Sequence, residues 1–121
     1  MPWDLQDDRP VYLQLMEQIE LRILSGAYRA GDRLPAVREL AAEASVNANT
    51  MQRALAELEQ AELVHAQRTA GRFITEDQTQ IDRLRLQFAH ARALEYLSAM
   101  AQLGYAPEQA RALLETIKKE A

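Results

Sequence analysis

Asn49, Thr50, Gln52 and Arg53 stand close together in a stretch whose apolar residues, Met51, Ala54, Leu55 and Leu58, recur at helical spacing. At 100° per residue, Asn49 and Arg53 fall opposite the Met51/Leu55 stripe, with Thr50 and Gln52 on either side. These side chains suit the edges of bases. Asn and Gln pair bidentately with adenine, Arg pairs with guanine, and Thr meets a phosphate or a thymine methyl. All four lie in the first half of the segment, the part of a recognition helix that enters a major groove. Glu57, Glu59 and Glu62 follow in the later half, where they stay clear of phosphates. A polar run on a helix is by itself only a solvated face, so the assignment depends on its surroundings.

Those surroundings supply more Arg. Arg38 sits in the first turns of the preceding helical segment, beside a helix N-terminus that suits a phosphate, although Glu39 and Glu43 are near enough to pair with it. Arg68 and Arg72 flank the tip of a small hairpin, with Thr69 and Gly71 between them, where they can reach a minor groove or a backbone. Twelve of the 14 basic residues are Arg, the side chain of planar, bidentate recognition. The net charge of −4 concerns the chain as a whole and not the sign of one patch.

Other chemistry is thinly represented. There is no Cys, hence no disulfide, thiol nucleophile or thiolate metal site. His65 and His90 are the only imidazoles, and both read as structural or surface residues, so no metal site is expected. Paired across a dimer, His90 could line a small effector pocket. No Gly-rich phosphate loop, Ser-His-Asp set or HExxH pattern is present, and both Lys (Lys118 and Lys119) fall among the last four residues, a poor place for a buried Schiff base. No enzyme and no cofactor is expected. The longest apolar run is three residues, which predicts no membrane span, no signal peptide and a cytoplasmic chain.

The elements that must position these residues follow from period and punctuation. A first helix spans 11–25, with Tyr12, Leu15, Met16, Ile19 and Ile23 on one stripe and Gly26 as its C-terminal cap. Leu13, Leu21 and Leu24 lie off that stripe and suggest a second covered surface. The stretch 26–35 reads as a loop, and Pro35 suits the start of a short helix over 36–44. Ser45-Val46-Asn47 interrupts it, Asn47 or Asn49 can cap the next helix at 48–61, and this tight turn makes a helix-turn-helix. The period then changes to a hairpin, 63–67 with 72–75. A long helix over 76 to about 103 ends at Gly104, and Pro107 opens a last one. Trp3 and Leu5, in an extended arm, are placed to staple the first helix. The fold expected is mainly α with a small β-hairpin: an N-terminal winged helix-turn-helix at 1–75 and a C-terminal two-helix dimerisation tail at 76–121.

The long helix is apolar on two faces, Leu84, Phe88 and Ala91 on one and Leu86, Ala93, Leu97 and Met100 on the other. A second chain is the simplest cover for one of them, giving a homodimer interface of Leu84, Phe88, Ala91, Leu97 and Met100 with Leu113, Leu114 and Ile117.

Pro10-Val11-Tyr12-Leu13-Gln14, then Gly31-Asp32-Arg33-Leu34-Pro35-Ala36-Val37-Arg38-Glu39-Leu40-Ala41, resembles the opening of a GntR-type winged-helix domain. Val46 through Leu55 continues the pattern and Gly71-Arg72-Phe73-Ile74 closes the wing, so the resemblance covers about 9–75. The short tail is similar to the YtrA-type subfamily, where it dimerises the protein. The resemblance implies a bacterial transcriptional regulator, usually a repressor of a palindromic operator in double-stranded DNA, often beside a transporter operon. It places DNA contacts on Arg38, Asn49, Thr50, Gln52 and the wing from Arg68 to Gly71, and leaves room for a small-molecule effector. Three positions depart from the family pattern. Ala36 replaces a Ser, Thr69 replaces the first Gly of the wing, and Glu62 stands where a Gly is common. The competing reading is a winged-helix adaptor that binds proteins without specific DNA recognition, which the acidic balance would suit.

Overall fold

The structure is a computed structural model and describes residues 2–117; Lys118 and Lys119 lie outside the described residues. Helix α1 spans Val11–Ser25 and buries Leu15, Ile19 and Ile23 as its stripe predicts, with Tyr12 and Met16 half-buried. Gly26 ends it at φ 86°, a left-handed conformation that glycine adopts without steric strain. Two polar side chains are also buried on α1. Gln14 is 2% exposed because it clamps the arm in front of it. Its Nε2 donates to the carbonyls of Gln6 (2.7 Å) and Arg9 (2.8 Å), and its Oε1 accepts from the Gln6 N–H (2.6 Å). The Arg22 guanidinium lies over the Trp3 ring, 3.8 Å from its centre, so the arm does staple α1.

Helix α2 covers Val37–Ala44 and α3 covers Ala48–Gln60. Asn47 is the cap of α3, its side chain accepting from the Asn49 N–H at 2.7 Å. Ala36 stands at the corresponding position of α2 and makes no side-chain cap bond. Leu40, Met51, Leu55 and Leu58 are fully buried with Leu15 and Ile19, forming the core where α1, α2 and α3 meet.

The hairpin pairs β1 (Val64–Gln67) with β2 (Gly71–Ile74) antiparallel, Val64 opposite Ile74 and Gln67 opposite Gly71. The stretch 26–35, predicted as loop throughout, does more than connect. Arg33 bridges Phe73, the Leu34 N–H donates to the Arg72 carbonyl (2.8 Å), and the Ile74 N–H donates to the Asp32 carbonyl (2.8 Å). β2 is therefore hydrogen-bonded on both edges, and Leu34 is carried into the core.

Helix α4 spans Gln78–Gln102 and α5 spans Pro107–Thr116. Asp77 accepts from the Thr79 N–H (3.0 Å) at the start of α4, and Thr75 accepts from the Asp77 N–H (3.0 Å). The contacts divide the chain into two units, one reaching to Leu84 and one starting at Arg85. Ile81 and Leu84 belong to the first and are buried. In the second, α5 is tied to α4 by the Tyr96 hydroxyl, which donates to the Ala110 carbonyl at 2.6 Å, and Met100 and Ala110 are buried. No helix among the described residues is long and apolar enough to cross a membrane.

Candidate nucleic-acid interface

The first half of α3 is presented as its spacing predicts. Met51, Ala54 and Leu55 turn into the core, Asn49, Gln52 and Arg53 are exposed, and Thr50 is half-buried. Arg38 is exposed on α2 and forms no ion pair among the described residues, so neither Glu39 nor Glu43 neutralises it. Arg68 and Thr69 are exposed at the hairpin tip, where the Ala70 N–H closes the turn onto the Gln67 carbonyl (3.0 Å).

Two side chains of this set carry contacts that sequence spacing does not reveal. Arg53 lies over the ring of Tyr12, its Cζ 3.6 Å from the ring centre. Arg72 is half-buried and its Nε donates to the Glu59 carboxylate at 2.5 Å, joining the wing to the second half of α3. That pair offsets the charge of Arg72, which leaves Arg68 as the uncommitted cation of the wing. It also ties Glu59 to the wing.

Arg33 is a further cation at the site. Its Nε comes within 3.1 Å of where a Cβ on Gly71 would stand, and Gly71 has φ 107°, so only glycine fits there without displacing Arg33. Arg33 and Arg72 line a cleft of about 200 Å³ together with Leu34, Pro35 and Val37, between the start of α2 and the wing. The signal available in the sequence was the short Asp32-Arg33-Leu34 alternation between Gly31 and Pro35.

His65 is exposed on β1 and stacks on Phe73, ring centres 5.9 Å apart; His90 is exposed on α4. Among the described residues no cluster of His, Asp and Glu could hold a metal. In the tail, Leu84 and Met100 are already covered within a single chain, Phe88 and Leu97 are half-buried, and Ala91, Leu113, Leu114 and Ile117 are exposed.

Residues 11–74 match the profile of the bacterial regulatory proteins of the gntR family. The chain belongs to the GntR family. It is 35% identical over 113 residues to the uncharacterized HTH-type transcriptional regulator YhcF of Bacillus subtilis, covering 93% of this chain and 91% of YhcF. The HTH-type transcriptional repressor YtrA of the same organism is 36% identical over 74 residues, which is 61% of this chain and 57% of YtrA. A GntR family transcriptional regulator from Listeria monocytogenes superposes with a TM-score of 0.83 at 37% identity, covering 94% of this chain and 100% of that one. As a GntR member the chain is a DNA-binding regulator of transcription and not an enzyme, and the mainly helical winged-helix architecture is the one its relatives share.

Proposed function

We propose that this GntR protein is a cytoplasmic repressor that binds a palindromic operator as a homodimer. Two α3 helices related by the dimer axis would enter successive major grooves about 34 Å apart. Asn49, Gln52 and Arg53 would read base edges, and Thr50 a thymine methyl or a phosphate. Arg38 and the start of α2 would set register on the backbone, with Arg68, Thr69 and Gly71 of the wing beside them and Arg72 held back by Glu59. The observation that carries this reading is the exposed first half of α3, where neither Arg53 nor the neighbouring Arg38 is paired with a carboxylate among the described residues.

The dimer is assigned to the tail because α4 and α5 leave Leu86, Leu94, Leu114 and Ile117 at 69%, 55%, 50% and 63% exposure. Large aliphatic side chains so exposed on one small unit suit a second copy. With Leu84 and Met100 closed within one chain, the partner would meet Leu86, Leu94 and the half-buried Leu97 on α4, with Leu113, Leu114 and Ile117 on α5. The resemblance of the short tail to the YtrA-type subfamily extends the proposal to control of a neighbouring transporter operon.

The test is a titration of the protein's own upstream DNA at low and moderate salt, with random duplex as control. Specific binding, a steep salt dependence from counterion release and two protomers per site are expected. No preference over random duplex overturns the reading in favour of an adaptor for protein partners. On a bound operator, Gln52→Ala should cost about 1–3 kcal/mol at one base position; uniform weakening across sequences would move Gln52 to the phosphates.

A further inference from the structure

Arg53 and Tyr12 belong to different helices that pack against each other, and their contact has a specific chemistry. A guanidinium with Cζ 3.6 Å from a ring centre lies over the aromatic face. Its five N–H donors lie in the guanidinium plane, so a contact through the face leaves them available. Among the described residues none of those donors is taken by a carboxylate or a carbonyl. Glu57, one turn further along α3, is the partner a helix would ordinarily offer, and Arg53 lies on the ring instead. Tyr12 is half-buried in the first turn of α1 and Arg53 is exposed, so the platform is anchored and the cation is reachable.

We propose that Tyr12 is a positioning residue for DNA recognition, its ring holding the Arg53 guanidinium in place so that the donor fork meets the duplex already ordered. A long, unrestrained Arg loses rotamer freedom when it docks; one already laid on a ring loses less. The proposal rests on the reading of α3 as the helix that enters the groove. Tyr12 itself touches no base in this account, and its phenolic oxygen has no part in it.

The test uses a duplex selected from a random-sequence pool by the parent protein. Dissociation constants are measured for the parent, Tyr12→Phe, Tyr12→Leu, Arg53→Ala and the Tyr12→Leu/Arg53→Ala double variant, with thermal unfolding of each followed by circular dichroism. Tyr12→Phe keeps the aromatic face and should bind within about twofold of the parent. Tyr12→Leu keeps apolar volume without the face and should bind about three- to tenfold more weakly. The loss should fall on the same base position that Arg53→Ala relaxes, and should vanish when Arg53 is already Ala. Parent-like binding by Tyr12→Leu, or an equal loss in the Arg53→Ala background, overturns the proposal while leaving DNA recognition by α3 standing. A pool that yields no preferred duplex overturns both.

Discussion

Glu62 holds φ at +64°, in the left-handed region, at the turn between α3 and β1. A side chain there costs about 1–2 kcal/mol relative to a right-handed conformation, and the exposed hydrogen bond from Gln80 to its carboxylate (3.0 Å) offsets little of it. Glu62→Gly should therefore raise stability by about 0.5 kcal/mol, after the greater freedom of glycine in the unfolded chain is deducted; urea unfolding measures it. Glu20 is a residue with a different sensitivity. Burial, with Glu17 nearby, pushes its carboxyl from 4.5 up to about 7. A carboxyl whose folded value exceeds its unfolded one binds more protons in the native state, so its contribution to stability declines as pH rises from about 4.5 to about 7. Glu20→Gln should unfold like the parent near pH 4 and be the more stable protein at pH 8, with solvent screening keeping the gain modest.

Among the elements, the wing is the one whose behaviour depends most on a distant partner. Glu59 on α3 neutralises Arg72 on β2, so the wing carries less positive charge than its sequence suggests. Glu59→Gln should release Arg72 toward phosphate and steepen the logarithmic salt dependence of DNA binding by about one unit, read from titrations at several salt concentrations. The elements themselves were largely legible. The 3.6-residue periodicity of α1 to α3 and punctuation by Gly26, Asn47, Gly104 and Pro107 place the five helices of the described residues within one or two residues. The pairing of Asp32, Arg33 and Leu34 with β2 was not legible, because so short a stretch has no period and its partner lies some forty residues later. The same reason hid the two contacts that organise the site. Spacing along α3 shows that Arg53 and Glu59 face outward, but only the packing of α1 and the wing against that helix shows that Tyr12 and Arg72 await them.

At the scale of the whole molecule, a chain of net charge −4 would meet an anionic polymer through the cations it leaves without an ion pair. Arg33, Arg38, Arg53 and Arg68 all belong to the first unit and none of them is ion-paired among the described residues. The second unit carries the apolar surface instead. Leu94→Glu, placed where the side chain is 55% exposed, should leave the fold of the first unit intact and convert the protein to monomers by light scattering. Operator affinity should fall with it, since each monomer then grips a single half-site.

The arm ahead of α1 has an optical consequence. Trp3 is the only tryptophan in the chain, and it lies against a cation on α1, the helix that also carries Tyr12 and the Gln14 clamp. Intrinsic emission therefore reports the state of that arm without any attached dye. A red shift and a change in quenching during a DNA titration would signal that the arm lifts off α1, and an unaltered spectrum would mean that the protein meets its operator with the arm still fastened.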